Sequence, residues 1–319
     1  MKSIEGMAVK PLAAQPSRRL SDAEIVARAH RSDRNFAILG LSVLVISMIV
    51  LLSLIVDFMV DGLGRIDLDF LTSFPSRRAS EAGILSAWVG TTLVMLVTTA
   101  LAVPLGVAAG LYLEEYAPRN WITHLIEINV TNLAGVPSII YGLLALGLFV
   151  QSFAMGQTIL VAGITLALLI LPIIIVATRE AVRSIPLEIR EGAYALGADK
   201  WQTVSGYILP TARPGILTGA IVGMSRAIGE TAPIITIGAL TFIAFLPPSP
   251  VQDTFPFINF NWLNSPFTVM PIQMFNWVSR PQAAFHVNAA ATGLILLLMT
   301  LLMNAIAIWL RYKIRRSMR

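Results

Sequence analysis

Six apolar stretches, each long enough to cross a lipid bilayer, constrain the fold of this chain more than any other feature. Crossing a hydrocarbon core of about 30 Å as a helix takes roughly 20 residues at ~1.5 Å each. A chain with 56% hydrophobic and only 13% charged residues also lies outside the range of soluble globular proteins. We therefore predict an all-α membrane protein with six transmembrane helices. The predicted spans are residues 36–56, 84–113, 129–152, 158–178, 215–246 and 288–310.

The distribution of Lys and Arg predicts which side of the membrane each connecting segment faces, because basic residues near helix ends stay on the cytoplasmic side. If the N-terminus is cytoplasmic, the inner segments hold 7, 1, 5 and 5 Lys and Arg, and the outer segments hold 3, 0 and 1. Both termini are therefore expected in the cytoplasm, and the net charge of +5 reflects topology rather than a nucleic-acid partner. The inner segments are 1–35, 114–120, 179–214 and 311–319, and the outer segments are 57–83, 153–157 and 247–287.

The N-terminal segment 1–35 has the composition of a basic cytoplasmic tail. Ser21 and Glu24 have the spacing of a helix capping box, which predicts a short surface helix at residues 25–31. The first apolar window, 36–56, is too long and begins too late for a removable signal peptide, and it lacks a clear small-residue cleavage site. We interpret this window as a retained transmembrane helix.

The outer segment 247–287 is rich in aromatic residues scattered among polar ones. Such a segment can rest at the headgroup level of the membrane, pack as a cap over the helices, or receive a soluble binding protein. Its composition leaves these alternatives open. The aromatic residues are Phe255, Phe257, Phe260, Trp262, Phe267, Phe275 and Trp277.

The polar segment 179–214 lies between the fourth and fifth spans. Pro186 suits the first turn of a helix, apolar residues follow at spacings of two to four, and Gly197 stands where a left-handed helix end is favourable. The pattern predicts a short amphipathic helix on the cytoplasmic membrane surface. Its exposed face suits force transfer from a partner protein, and a surface helix without a partner is the alternative.

Residues 191–210 resemble the E-A-A loop through which permeases of ABC importers contact their ATPase. Over residues 84–310 the chain is similar to the PstA-type permeases of phosphate-specific ABC importers, and the sequence S-R-A-I-G-E-T-A-P at 225–233 points to phosphate. The chain departs from the loop motif where Gly192 replaces the first Ala and where Tyr207 stands at the Ile position. The resemblance also rests on N-L-A-G-V-P-S-I-I-Y-G at 132–142, R-P-G-I-L-T-G at 213–219 and the stretch 267–281.

The resemblance implies a type I ABC importer permease in the bacterial inner (cytoplasmic) membrane, with a coupling helix between the fourth and fifth spans. It implies a PstC-like permease, a PstB-like ATPase dimer that binds ATP and Mg, a PstS-like external phosphate-binding protein, and inorganic phosphate as partners within the lipid. This chain would form half of the translocation pathway and carry no catalytic residue and no cofactor. The residues implied to couple to the ATPase are Glu191, Gly192, Ala193, Leu196 and Gly197.

Two charged residues, Arg226 and Glu230, fall within the fifth apolar window. Their spacing places them on one helical face, and Arg226 lies ~16 Å along the window, near mid-membrane. A charge there costs about 2.5–3.5 kcal/mol on the lenient insertion scale, so each must face a cavity or the other. Either Arg226 offers guanidinium donors to a passing phosphate while Glu230 neutralises it at rest, or the two form a structural ion pair. Thr231, next to Glu230, completes the predicted pathway residues.

Prolines and small residues within the windows predict bends and close helix contacts. A proline frees backbone carbonyls, which must then face protein or a wet cavity. Gly135, Ser138 and Gly142 would allow close packing of the third span. Glu127, near the start of that span, is interpreted as ending at the headgroup level. The prolines predicted to interrupt spans are Pro104, Pro137, Pro172 and Pro233.

Enzyme functions find little support in the sequence. No G-x4-G-K-S/T phosphate loop occurs, which argues against a P-loop ATPase, the three histidines are too far apart for a local metal motif, and cysteine is absent. Three alternatives stay open: an ABC permease for sulfate or molybdate, a scaffold that reports phosphate status to a sensor kinase, and an ion-coupled secondary transporter that uses Arg226 and Glu230. The last would require inverted repeats, and no convincing repeat is visible.

Overall fold

The computed structural model describes residues 22–252, 257 and 259–317. All the extended regular elements within these residues are helical, which confirms the all-α prediction for this part of the chain. The chain divides into two units, Met1–Val56 and Asp57–Arg319. Most of the predicted basic tail, including Ser21 of the predicted capping box, and Phe255 of the outer segment lie outside the described residues.

The first helix, α1, runs without a break over Asp22–Gly62. The short surface helix predicted at 25–31 is therefore the beginning of α1 and not a separate element. The reason is that residues 22–39 contain neither glycine nor proline, the two residues that most disfavour a helix interior. Nearly all side chains of the predicted first span are exposed, as befits a stretch whose apolar surface is suited to lipid.

Three helices form the centre of the second unit: α3 (Leu85–Leu111), α6 (Ile159–Arg183) and α9 (Leu209–Gly229). Both α3 and α9 pack against α6. Glycines at G-x-x-x-G spacing on each neighbour allow this approach. A Cβ added to Gly106 of α3 would stand 2.7 Å from Cγ2 of Ile174, and one added to Gly215 of α9 would stand 2.6 Å from Cβ of Ala181.

Shorter elements lie at the two ends of this bundle. At the end where α3 begins lie α2 (Leu68–Thr72) and α11 (Met270–Val278), with the start of α12 (Ala283–Ser317). At the opposite end, α3 continues as a π-helical turn, Tyr112–Tyr116, next to α7 (Leu187–Ala195) and α8 (Lys200–Thr203). A second π-helical turn, Val204–Ile208, joins α8 to α9.

Two of the predicted spans are broken helices. The third is divided into α4 (Trp121–Leu133) and α5 (Ser138–Ala145), which continues as a π-helical segment to Ser152, and its halves meet at a bend of 104°. The fifth is divided into α9 and α10 (Ala232–Ile237). A proline follows each break, and its ring disfavours a continuous helix because it clashes with the carbonyl four residues earlier. α4 ends at Leu133, four residues before Pro137, and α9 ends at Gly229, four residues before Pro233.

The helices of the described residues that are long and apolar enough to cross a membrane do not correspond one to one with the six predicted spans. Within the described residues, four helices are long and apolar enough to cross a membrane, and the bent α4–α5 pair makes a fifth. The predicted span 215–246 is not one helix, because α9 ends at Gly229 and α10 ends at Ile237, where Gly238 follows with a left-handed φ of +96°. Pro104 and Pro172 lie inside unbroken helices, so neither divides its span into two helices.

Candidate functional site

The two charged residues predicted within the fifth span form an ion pair. Nε of Arg226 donates to Oε1 of Glu230 at 3.1 Å. The Arg226 side chain is 38% exposed and that of Glu230 is 17% exposed. Glu230 stands immediately after α9, in extended conformation with φ −74° and ψ 121°, so the pair crosses the point where the helix ends. The helical i, i+4 pairing that the sequence predicted is thus present, although the break displaces the second partner from the helix itself.

The surroundings of this pair join the two broken spans. The second half of the third span, α5, packs against α10, which follows the pair. Tyr141 of α5 donates its hydroxyl to the carbonyl of Leu133, the last residue of α4, at 2.9 Å. Thr231, the third predicted pathway residue, lies in the break beside Glu230 and is half-buried. The structure therefore places Arg226, Glu230 and Thr231 together, next to the second helix break.

The predicted amphipathic helix of the polar segment is present as α7. Pro186 precedes it with φ −54°, and Gly197 follows it with φ +85°. The amide of Gly197 donates to the carbonyl of Tyr194 at 2.9 Å, and that of Ala198 donates to the carbonyl of Ala193 at 3.1 Å. These two bonds form a Schellman motif, which explains the requirement for a left-handed residue at position 197.

The residues predicted to couple to an ATPase divide between the two faces of this segment. Ala193 is buried at 4% exposure, whereas Leu196 is 84% exposed, and Glu191, Gly192 and Gly197 are also exposed. Further large apolar side chains stand in solvent beside them. These are Leu187 at 61%, Tyr194 at 46% and Trp201 at 68% exposure. An exposed apolar patch on a short helix is typical of a surface that contacts another protein.

A cluster of paired charges at the same end of the bundle was not predicted from the sequence. Arg179 of α6 is 8% exposed and contacts two carboxylates, Glu127 of α4 at 2.7 Å and Glu114 at 3.4 Å. Arg183 holds Glu114 with two bonds of 3.0 and 3.1 Å. Glu127 is thus an ion-pair partner of Arg179, a contact that was not predicted for it. Arg190 of α7 binds Glu115 through Nε and Nη2, which both donate to Oε1.

One signal in the sequence could have indicated this cluster. Glu114 and Glu115 stand together in an inner segment of only seven residues. Basic residues at 179, 183 and 190 follow at spacings of about one and two helical turns, which favours a common helical side. Which carboxylate meets which guanidinium depends on the contact between α3 and α6, and no local spacing specifies that contact.

The aromatic outer segment is partly a packed cap, one of the alternatives that the sequence left open. Trp262, Phe267 and Trp277 are buried, with Trp277 at 0% exposure. Turned so that both ends of its amide are satisfied, Gln273 donates to the carbonyl of Thr241 at 3.2 Å and accepts from the Trp277 indole at 3.1 Å. Three aromatic residues of the same segment are exposed: Phe257, Phe260 and Phe275.

This architecture is that of a membrane-embedded permease, with apolar helices around a charged pair and an exposed helix at one end. Residues 102–319 match the family described as binding-protein-dependent transport system inner membrane component, and the chain belongs to this family. The family supplies the multi-pass membrane subunits of transport systems that are served by a binding protein. Membership is inconsistent with the secondary-transporter alternative.

Several relatives are similar over most of their length. The chain is 29% identical over 266 residues to the probable ABC transporter permease protein YqgI of Bacillus subtilis (strain 168), covering 82% of this chain and 88% of that one. It is 28% identical over 282 residues to the phosphate transport system permease protein PstA of Yersinia pestis, covering 87% and 89%. It is 29% identical over 237 residues to PstA 1 of Mycobacterium tuberculosis (strain ATCC 25618 / H37Rv), covering 74% and 72%.

The fold is also similar to a solved structure. The MetNI methionine ABC transporter in an inward-facing conformation matches with a TM-score of 0.54 at 18% identity, covering 71% of this chain and 94% of that one. At this identity the likeness concerns the fold alone. The prediction of a type I ABC importer permease fold is confirmed.

Proposed function

We propose that this chain is a membrane-spanning subunit of an ATP-driven importer of inorganic phosphate and forms half of its translocation pathway. The observation that carries the proposal is Arg226, the one Lys or Arg in the predicted spans, which is held by Glu230 at a helix break. A guanidinium offers planar, paired donors that match the oxygens of a phosphate dianion. Because Glu230 competes for the same donors, binding would be weak enough for phosphate to pass.

The names of the relatives support phosphate over other oxyanions. Relatives named as phosphate transport system permease proteins match over 66–89% of their own length. The charge of Arg226 by itself would serve sulfate or molybdate equally well. Selectivity for phosphate is expected to reside chiefly in an external binding protein of the PstS kind.

The second part of the proposal concerns α7 as the coupling helix. Its apolar patch of Leu187, Tyr194 and Leu196 is exposed, and its Schellman end fixes the direction in which Leu196 projects. We assign this patch to a groove on one subunit of a PstB-like ATPase dimer, which would bind ATP and Mg. A PstC-like permease would supply the other half of the pathway. The Lys and Arg distribution supports cytoplasmic termini and a cytoplasmic α7.

Uptake of radiolabelled phosphate at micromolar concentration tests the proposal in cells that lack this chain. The wild-type chain is expected to restore phosphate uptake and to leave sulfate uptake unchanged. Gly197→Asp is expected to abolish uptake, because a side chain at φ +85° strains the end of α7. Arg226→Gln is expected to abolish uptake by removing the guanidinium.

The matched control is Gly156→Asp. Gly156 also has a positive φ, +71°, and stands in the segment 153–157 on the predicted outer side. It should retain uptake if the effect at 197 is specific to coupling and not a general cost of strain. Normal transport by Gly197→Asp, or uptake driven by a proton gradient in place of ATP, would contradict the proposal. Restoration of sulfate uptake would mean that the transported substrate is another oxyanion.

A further inference from the structure

The π-helical turn Tyr112–Tyr116 contacts three separate helices at the end of the bundle that holds α7. Glu114 binds Arg179 and Arg183, both on α6. Glu115 binds Arg190 of α7. Nζ of Lys200, at the start of α8, lies 5.0 Å from the ring centre of Tyr116. Consecutive side chains of one turn therefore connect the end of α3 to the end of α6 and to both short helices of the polar segment.

The contact between Glu115 and Arg190 is largely enclosed by protein. Oε1 of Glu115 accepts from Nη2 of Arg190 at 2.8 Å and from Nε at 3.2 Å. The Glu115 side chain is 8% exposed and that of Arg190 is 16% exposed. A charge-assisted bond through two nitrogens of one guanidinium fixes orientation as well as distance.

Arg190 uses its remaining donors on the end of α6. Nη1 donates to the carbonyl of Ile185 at 2.9 Å, and Nη2 donates to the carbonyl of Val182 at 3.0 Å. Val182 lies in the last turn of α6 and also accepts from the amide of Ile185 at 3.2 Å, whereas Ile185 follows the helix, so Arg190 adds further bonds to this helix end. One side chain of α7 is thus bonded both to the end of α3 and to the end of α6.

Apolar contacts also join α7 to the bundle, but they do not fix its position in the same way. Ile189 packs against the cluster that includes Val182 and Ile208, and Ala193 is buried. Hydrophobic contact is non-directional, so such surfaces can slide without losing much buried area. A helix pushed on its exposed face would slip along an apolar contact, whereas a bonded ion pair resists displacement.

From α3, a contact leads towards the charged pair in the membrane. The hydroxyl of Thr99 on α3 lies 3.3 Å from the sulfur of Met224 on α9, two residues before Arg226. Helix α3 also packs along α6. A shift of the α3 end at Glu115 would therefore displace the helices that position Arg226. The route from α7 to this site therefore passes through elements that are in direct contact.

We propose that the Glu115–Arg190 ion pair is the rigid link through which movement of α7 reaches α3, and that Arg190 is a positioning residue for coupling ATP hydrolysis to transport. This inference rests on the proposed function of α7. Loss of the link leaves the exposed face of α7 intact, so the ATPase still binds. The quantity that falls is the amount of phosphate transported for each ATP hydrolysed.

The test uses the complete transporter reconstituted in lipid vesicles with its ATPase and with phosphate-loaded binding protein. The quantity measured is the ratio of phosphate transported to ATP hydrolysed, with the amount of co-purified ATPase recorded for each variant. Allosteric coupling of 1–3 kcal/mol corresponds to roughly 5–150-fold, so Glu115→Gln and Arg190→Gln should each lower the ratio by about tenfold. The double variant should fall no further than either single one, because both remove the same interaction.

The conservative variant Arg190→Lys keeps the charge but loses the paired donor nitrogens of the guanidinium. It should lower the ratio by an intermediate amount while assembly is retained. Arg183→Gln is the control, since it also removes two guanidinium bonds to a carboxylate, but the carboxylate is that of the neighbouring Glu114 and the pair connects to α6 and not to α7. It should keep the wild-type ratio. If a glutamine variant does not assemble, the lysine variant decides the question.

Three results would overturn the proposal. The first is a wild-type ratio in Arg190→Lys together with a wild-type ratio in either glutamine variant. The others are additive effects in the double variant and an equal fall of the ratio in Arg183→Gln. Failure of the proposed function looks different. In that case the wild-type complex itself would move no phosphate, or Gly197→Asp would transport normally.

Discussion

Gly142 of α5 lies directly against Pro233 of α10. A Cβ at position 142 would stand 2.6 Å from the Cα of Pro233 and 2.7 Å from its carbonyl oxygen, and it would also meet the hydroxyl of Thr236. These residues belong to the second halves of the two broken spans. The contact thus brings the two interrupted helices together beside the Arg226–Glu230 pair.

Gly142→Ala is expected to separate these helices, because backbone atoms cannot yield to the added methyl group. Phosphate uptake should fall at least several-fold, and the thermal midpoint should drop by a few degrees, as overpacking typically costs about 1–3 kcal/mol. Gly147→Ala is the control, since no atom lies within 4 Å of a Cβ at that position of the same segment. Equal uptake by the two variants would show that the contact is unimportant for transport.

Glu230→Gln is expected to change transport kinetics in a specific direction. Without the competing carboxylate, Arg226 holds phosphate more tightly in the ground state, which lowers KM and also lowers the maximal rate. Uptake measured over a range of phosphate concentrations checks this result. Glu81→Gln, which removes an exposed pair with Arg78, should leave both parameters unchanged. A raised KM in Glu230→Gln would indicate that Glu230 orients Arg226 and does not compete with phosphate.

Gly192→Ala is expected to stabilise α7. Gly192 has open space around its Cα and helical conformation, so alanine fits without a clash. Alanine is favoured over glycine within a helix by about 1 kcal/mol. Hydrogen exchange of the α7 amides, measured over a range of temperatures, should show that the helix opens at a higher temperature. Phosphate uptake should be retained. Slower exchange with lost uptake would mean that coupling requires flexibility at this position.

Leu196→Asp is expected to release the ATPase from the membrane complex. Leu196 is 84% exposed on the proposed docking patch, and a carboxylate there would be buried without a partner in the complex. Co-purification of the ATPase with the tagged chain measures the effect. Leu68→Asp, at a position that is 79% exposed at the other end of the bundle, should retain the ATPase. Retention by both variants would place the ATPase contact elsewhere.

Arg179→Gln is expected to destabilise the bundle. Removing one partner of a buried ion pair leaves unpaired charge and typically costs about 3–5 kcal/mol, and here the carboxylates of both Glu114 and Glu127 lose a partner. Thermal unfolding in detergent should show a midpoint lower by several degrees. Arg78→Gln, which breaks a fully exposed pair, should show no change. Equal midpoints in the two variants would mean that Arg179 contributes little.

Local patterns predicted several features correctly. Pro186 and Gly197 define the ends of α7, because proline and a left-handed glycine act through their own backbone conformation. The i, i+4 spacing of Arg226 and Glu230 predicted their pairing, which is observed at 3.1 Å. These features depend on residues within a few positions of one another, so the sequence contains all the necessary information.

Other features could not be predicted from spacing. Four prolines fall within predicted spans, yet Pro104 and Pro172 remain inside continuous helices while Pro137 and Pro233 each follow a break. All four lack an N–H donor, so the difference depends on whether packing against neighbouring helices holds the local bend. For the same reason, spacing could not predict that Glu127 pairs with Arg179, since 51 residues lie between them.

The sequence by itself determined that this chain is a helical membrane protein, where its charged pair lies and how α7 begins and ends, because apolar length and backbone preferences are local properties. Only the tertiary structure decided which prolines break helices, that α5 meets α10 at Gly142, and that Glu115 meets Arg190. Each of those outcomes depends on atoms from distant segments approaching within a few ångströms, and the packing of whole helices sets that approach.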